Sequence, residues 1–333
     1  MRVAVLSGGR SSEHEISLVS GAGVADGLRR AGHEVIEVLL GRDGGWSLDG
    51  APVELTPGAG LLGADVAFPV LHGPYGEDGT VQGLLELLDV AYVGSGVAAS
   101  AVCVDKIRFK EAAGAAGLPQ VGWVGLVEGE PPGRRAQAME RVAQLGFPVF
   151  VKPARLGSSV GISRATDTQE LDEALEEAFG HDPRVIVEAA SPGIEAEVAI
   201  LGSTWEPEAS QVGEIVVKGS RSPGGWYDYA AKYQEGGMEL VIPARISGEA
   251  EQRLRDTACS AFSRLGCSGL CRADFFVDGD EVLVNEINTM PGFTPTSVYS
   301  SLWEASGLPY PDLCDRLVAI AVADQADRRR HSF

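Results

Sequence analysis

The chain of 333 residues is long enough for two or three domains that each bury a core, which excludes a small fold dependent on disulfide or metal staples. Apolar residues make up 44% and charged residues 22%, a globular balance that fits neither a disordered chain nor a coiled coil. With 27 Lys and Arg against 47 Asp and Glu the formal charge is -20, so the basic footprint of a non-specific nucleic-acid or anionic-membrane binder is missing. The few lysines, Lys106, Lys110, Lys152, Lys218 and Lys232, stand out against that background. Cys103, Cys259, Cys267, Cys271 and Cys314 form no CxxC pair and read as reduced, mostly buried residues rather than a disulfide framework or zinc site. No run of 18 apolar residues occurs and MRVAVLSGG leads straight into a strand, so a cytoplasmic protein is expected.

RVAVLSGG predicts a buried strand ending in paired glycines, VSGAGVADGLRRAGHEV a helix, and EVIEVLL a second strand. ADVAFPVLHG predicts another buried strand, and TVQGLLELLDV a helix with Leu84, Leu85 and Leu88 on one side. This alternation implies a parallel sheet covered on both faces to about residue 97. One long helix is predicted over SGVAASAVCVDKIRFKEAAGAAGLP, stopped by Gly117 and Pro119. Strands VGWVGLV and FPVFVKPA follow, separated by a helix at 134 to 145; DTQELDEALEEAFG predicts an acidic surface helix and VIVEAA a further strand. EAEVAILG, SQVGEIVV and CRADFFVDGDEVLVNEINT read as strands, the last segment folding back at Asp278-Gly279-Asp280, and SGEAEQRLRDTACSAFSRLG as an amphipathic helix. Residues 219–239 are glycine-rich and aromatic without a period, the composition of a loop that can close over a site.

The C-terminal hairpin carries the strongest chemical signal. Asp274 lies on one strand and Glu286 and Asn288 alternate on the next, so the period of two puts their side chains on one face. Three oxygen donors without histidine or cysteine suit magnesium, which keeps water and phosphate in its other positions; the same residues also read as the polar end of an ordinary hairpin. Arg272 shares that face, where it could stabilise charge on a transferring phosphoryl group or simply pair with the acids. Lys152 ends a strand before RLGSSVGIS, an anion-binding loop or a plain connection. Lys106 on a helix, and Glu188 and Glu195 around the turn ASPG, are weaker candidates for nucleotide contacts. Near the N-terminus Ser11 or Ser12 could cap a helix with Glu13 and Glu15 at its positive end, and His14 reads as a turn residue. In LHGPYGEDGTVQG, His72 could approach a carboxylate or phosphate, and Glu77 or Asp78 could be caps. No GxSxG elbow supports a hydrolytic triad.

GGRSSEHEISL, LHGPYGEDGTVQG, DKIRFK, KPARLGSSVG, YDYAAKY and NEINTMPGFT, in this order, make nearly the whole chain resemble the D-alanine:D-alanine ligase family of the ATP-grasp superfamily. The resemblance implies a multidomain α/β and α+β architecture: a Rossmann-like parallel-sheet domain at 1–97, then two ATP-grasp subdomains at 98–187 and 188–333. It implies ligation of two D-alanines through a D-alanyl phosphate for peptidoglycan and hence cell-wall synthesis. ATP, two magnesium ions replaceable by manganese, a monovalent cation and a homodimer belong to the same expectation. By resemblance Lys106, Lys152, Glu188, Glu195 and the loop residue Lys232 serve the nucleotide, and Asp274, Glu286 and Asn288 the metal. Glu13 and His72 match contacts to the first D-alanine, with Ser158 linking Glu13 to Tyr233. Arg272 and Gly292 match the groups that stabilise the oxyanion, and Ser297 a contact to the second carboxylate. A D-lactate or D-serine acceptor is the alternative; Tyr233 within AKY favours an amine nucleophile.

Overall fold

Val3, Ala4, Val5 and Leu6 send alternate side chains to opposite faces of β1 (Arg2–Gly8), and each face has its own core. The computed structural model describes residues 1–157, 160–217 and 238–330. After β1 come α1 (His14–Arg30), β2 (Glu34–Leu40), β3 (Trp46–Leu48), β4 (Ala51–Pro52), β5 (Val66–Pro69), α2 (Thr80–Leu88) and β6 (Ala91–Tyr92). The sheet order is β4-β3-β2-β1-β5-β6, parallel from β2 to β6, with β3 and β4 an antiparallel extension that the sequence pattern does not predict. One face packs on Leu85 and Leu88 of α2, the other on Val24 and Leu28 of α1.

The predicted long helix is two helices, α3 (Val97–Val104) and α4 (Lys106–Ala115). Asp105 breaks it: with an extended backbone it turns its carboxylate onto the Ile107 and Arg108 amides, both at 3.1 Å, and pairs with Arg184 at 3.0 Å. A side chain that offers the backbone an alternative partner caps the second helix instead of continuing the first. Beyond lie β7 (Trp123–Val127), α5 (Pro132–Leu145), β8 (Val149–Pro153), β9 (Ser163–Ala165), α6 (Thr168–His181) and β10 (Arg184–Ala189), forming a sheet in the order β7-β10-β8-β9.

A third, antiparallel sheet runs β13-β12-β11-β14-β15, from β11 (Ile194–Ser203), β12 (Glu206–Val217), β13 (Met238–Val241), β14 (Gly269–Asp278) and β15 (Glu281–Asn288). Val198 and Ile200 face α7 (Gly248–Arg264) together with Cys103 and Phe109 from α3 and α4. Ala199 and Leu201 face the opposite core, shared with the first sheet through α8 (Val298–Ala305) and α9 (Tyr310–Arg328). Thus α9 returns the chain end to α1, and one continuous core fixes the first and third sheets against each other. The five cysteines are unpaired and four are buried. No helix among the described residues is long and apolar enough to cross a membrane.

Candidate active site

β14 and β15 meet at a two-residue turn, Gly279-Asp280, with Gly279 at φ +58°, between the paired Asp278 and Glu281. A bulge between Asp274 and Phe275 shifts the register, so that Asp274 faces Glu286 and Arg272 faces Asn288. On the other side of β14, Glu197 of β11 is directly opposite Asp274. Glu197, Asp274 and Glu286 therefore form a row of carboxylates across three strands, with Arg272 in the next row. Its guanidinium reaches Asp274 twice, Nε and Nη2 each at 2.7 Å, and lies 2.9 Å from Glu197. Burial opposes the charge of Arg272, but Asp274, Glu197 and Glu286 hold its pKa well above the ordinary value. Asn288 donates from Nδ2 to Asp274 at 3.1 Å, which leaves its carbonyl oxygen for another partner.

The second sheet contributes a different cluster. Glu188 on β10 is buried, with Lys110 at 3.1 Å from one oxygen and Lys152 of β8 at 2.5 Å from the other. Burial opposes its charge, yet the two ammonium groups hold its carboxyl down to about 2. The partners respond differently: burial wins at Lys110 and lowers its pKa, whereas at Lys152 the pull of Glu188, Glu286 and Glu195 overcomes burial and raises it. Glu195 itself is exposed on β11. Lys106 joins the two clusters, donating to the Leu156 carbonyl at 2.8 Å and lying 3.5 Å from Glu286.

A cavity of about 290 Å³ opens between these elements and the first sheet, and Glu13, His72, Lys106, Arg272, Glu286, Asn288, Gly292 and Ser297 all line it. Lys152, Glu188, Glu195 and Asp274 are off its wall. Glu13 is the N-cap position of α1. The expected hydroxyl cap takes another form: Ser11 accepts the Glu13 amide at 3.2 Å and donates to the His72 carbonyl at 2.7 Å. His14 is no turn residue but the first of α1, buried, its Nδ1 2.6 Å from the Gly9 carbonyl oxygen. Gly73 has φ +73°, a left-handed backbone that favours glycine, and a Cβ there would stand 2.8 Å from the Glu13 carboxylate and 3.2 Å from the Ser11 Cβ. His72 is buried, its Nδ1 3.2 Å from the Met290 carbonyl oxygen and 3.6 Å from Glu77, its Nε2 3.2 Å from the Ser20 hydroxyl. Burial alone would lower its pKa; Glu77, then Glu13, raise it above the ordinary value. Ser297 is the N-cap position of α8 and accepts the Thr294 amide at 2.9 Å.

Ser158, Lys232 and Tyr233, and residues 219–237 of the expected closing loop, lie outside the described residues. Two members of the clusters have no place in the sequence reading of the site. Lys110 follows Lys106 by one helical turn, a spacing that puts both on one face, and Glu197 has the strand parity of Glu195.

Asp274, Glu286 and Asn288 provide two carboxylates and an amide, an all-oxygen set that fits a hard divalent cation. Among the described residues no group of three or more His, Cys, Asp or Glu is arranged for a metal, so any such ion must draw on the Asn288 oxygen or on its own ligands, such as phosphate.

The architecture, with the cavity between the second and third sheets and the first, is that of an ATP-grasp enzyme. Family models described as D-ala D-ala ligase C-terminus and D-ala D-ala ligase N-terminus match residues 113–319 and residues 2–58 and 50–95. The chain belongs to the D-alanine–D-alanine ligase family. A D-alanine–D-alanine ligase of Deinococcus radiodurans is 45% identical over 342 residues, covering 97% of this chain and 99% of that protein. One from Mycolicibacterium smegmatis is 45% identical over 360 residues, covering 97% and 95%. The structure of the VanG D-Ala:D-Ser ligase from Enterococcus faecalis superposes with a TM-score of 0.85 at 34% identity, over 96% of this chain and 99% of that one. The D-alanine-D-alanine ligase from Coxiella burnetii gives 0.85 at 34% identity, over 99% and 96%.

Proposed function

We propose that the chain joins two D-alanines into D-alanyl-D-alanine with ATP, through a D-alanyl phosphate, and supplies peptidoglycan precursor synthesis. The observation that carries this reading is the convergence on one cavity of Glu13 and His72 from the first sheet, Lys106 from α4 and Arg272, Glu286 and Asn288 from the third sheet. Three reactants must be aligned, and groups from three separate units meet there.

A carboxylate has no adequate leaving group. One oxygen of the first D-alanine carboxylate therefore attacks the γ-phosphorus, the bond to the bridging oxygen breaks, and ADP departs with that electron pair. The neutral amine of the second D-alanine then adds to the acyl carbon, the tetrahedral centre collapses, inorganic phosphate leaves and the amine loses its proton. Glu13 takes the ammonium of the first D-alanine and His72, favoured as the imidazolium, its carboxylate. Lys106 and Lys152 neutralise phosphate oxygens, and Glu195, exposed on β11, accepts from the ribose. Arg272 and the backbone at Gly292 stabilise the oxyanion. Ser297 and the N-terminal end of α8 receive the second carboxylate, where free amides and the helix dipole favour an anion. Glu286, Asn288 and Asp274 would hold magnesium, or manganese in its place, which would neutralise charge on the polyphosphate. In the proposal Ser158 would link Glu13 to Tyr233, and Lys232 belongs to the loop that would cover the phosphates and keep water from the acyl phosphate.

The test is phosphate release with magnesium and ATP, with and without D-alanine, followed by product mass. D-alanine-dependent release and a product of the dipeptide mass are expected; no ATP consumption with D-alanine would overturn the reading. Parallel reactions with D-serine and D-lactate as acceptors distinguish the depsipeptide and mixed-dipeptide alternatives.

A further inference from the structure

Among the described residues Lys110 is as inaccessible as any charged side chain, 1% exposed, and it does not line the cavity. Its ammonium nevertheless touches two sheets at once. It lies 3.1 Å from Glu188 on β10 and donates to the Val284 carbonyl on β15 at 3.4 Å. Val284 is on the strand that also carries Glu286 and Asn288. Glu188 in turn holds Lys152, its second oxygen 2.5 Å from that ammonium. One buried carboxylate therefore carries two lysines, and only one of them, Lys152, has the exposure to serve a ligand, its side chain being 11% accessible against 1% for Lys110.

We propose that Lys110 is a positioning residue for nucleotide binding: it keeps Glu188 neutralised when Lys152 turns toward a polyphosphate, and so makes Lys152 available. The inference rests on the nucleotide role given to Lys152 above. A buried ion pair with a single lysine would resist the exchange, because moving Lys152 to phosphate would strand the Glu188 carboxylate in a low-dielectric interior. With one lysine on each oxygen, Lys152 leaves and the carboxylate keeps its partner. The bond to Val284 anchors that partner to the third sheet, so the exchange occurs at a fixed distance from Glu286 and Asn288.

The experiment is a double-mutant cycle of Lys110→Met and Glu188→Gln, read as the Kd of a non-hydrolysable ATP analogue with magnesium by calorimetry, together with steady-state constants. Lys110→Met should weaken the analogue about tenfold and raise KM for ATP by a similar factor, with KM for D-alanine unchanged. Once Glu188 is neutral the lysine has nothing to compensate, so the double variant should bind as well as Glu188→Gln alone. Losses that multiply in the double variant, or a folded Lys110→Met with the parent's nucleotide affinity, would overturn the proposal. Should Lys110→Met fail to fold, the comparison of Glu188→Gln with the double variant decides alone: equal Kd values support the proposal, further weakening sinks it. Lys152→Met separates the two levels. If it binds nucleotide like the parent, the assignment of Lys152 falls; if it loses binding while Lys110→Met does not, only the inference about Lys110 falls.

Discussion

The charge clusters of the second and third sheets are opposite in kind. On the second sheet two ammonium groups share the Glu188 carboxylate, closed off from the cavity. On the third sheet one guanidinium serves Asp274 and Glu197, with Glu286 in the same row and open to the cavity. On the function proposed above, the excess of cation on one sheet would suit a polyanion and the excess of carboxylate on the other a divalent cation, so magnesium with ATP would complete each side at once; Lys106, between Leu156 and Glu286, lies where the two clusters meet.

Breaking the third-sheet cluster at its guanidinium should have the largest effect. Arg272→Met leaves Asp274 and Glu197 facing each other across β11 and β14 without the cation that now lies 2.7 and 2.9 Å from them. Stability should fall by about 3–5 kcal/mol, and kcat by about 10²- to 10³-fold through the lost oxyanion donor. Urea unfolding and single-turnover rates check the two halves separately; a kcat within a few-fold of the parent would remove Arg272 from the chemistry.

Glu286→Gln sharpens the contrast from the other end. Glu286 is partly exposed and its contact with Lys106 is 3.5 Å, so folding should change by less than about 1 kcal/mol. The magnesium concentration for half-maximal turnover should rise about tenfold or more, because a charged oxygen becomes a neutral one. An unchanged metal titration would contradict the placement of the cation on this row.

The second-sheet cluster should show itself in acid. The Glu188 carboxyl is held at about 2 when folded against an ordinary 4.5, so the unfolded chain takes up the proton first as pH falls. The stabilisation is therefore complete above the ordinary value and is lost between there and about 2. Its size is about 3 kcal/mol by linkage. In urea unfolding from pH 6 to 2, the gap between the parent and Glu188→Gln should narrow across that window. A constant gap would mean that Glu188 is not the titrating partner of the two lysines.

These two clusters were unequally legible in the sequence. Glu286 and Asn288 were readable as neighbours on one face because a strand alternates, but strict pairing from the turn at Gly279 sets Asp274 opposite Asn285, and the bulge that brings it opposite Glu286 has no local signal. Glu197 needed the register of β11 against β14, which no local pattern encodes. Lys110 was invisible as a partner of Glu188 because the contact joins residues far apart in the chain, and because Asp105 divides the helix that periodicity alone makes continuous. The same distinction holds in the fold. The sequence reading has no counterpart of α8 or α9, although the stripe Tyr310, Leu313, Cys314, Leu317, Val318 and Ala321 has helical spacing, and the return of α9 to α1 and the first sheet is a tertiary fact. For the site, motif resemblance supplied Glu13, His72, Gly292 and Ser297, which the structure brings to one cavity although composition and spacing gave them no common address.

The smallest effect belongs to His72, whose charge is neither fixed as in the second sheet nor metal-directed as in the third. Burial would discharge it, but Glu77 and Glu13 raise its pKa above the ordinary 6.5. The folded state thus favours the imidazolium: its contribution is fully present below the ordinary value and fades as pH rises through the raised one. The affinity of the first D-alanine should follow the same curve, because a neutral imidazole no longer attracts its carboxylate. KM for that substrate should climb about two- to fivefold across the titration, and His72→Gln should flatten the rise. The neutral amine demanded of the second D-alanine acts in the opposite direction, so the two KM values must be resolved separately. Parallel profiles for parent and variant at the first site would show that His72 only packs between Ser20 and Met290, and would leave Glu13 to orient the substrate without it.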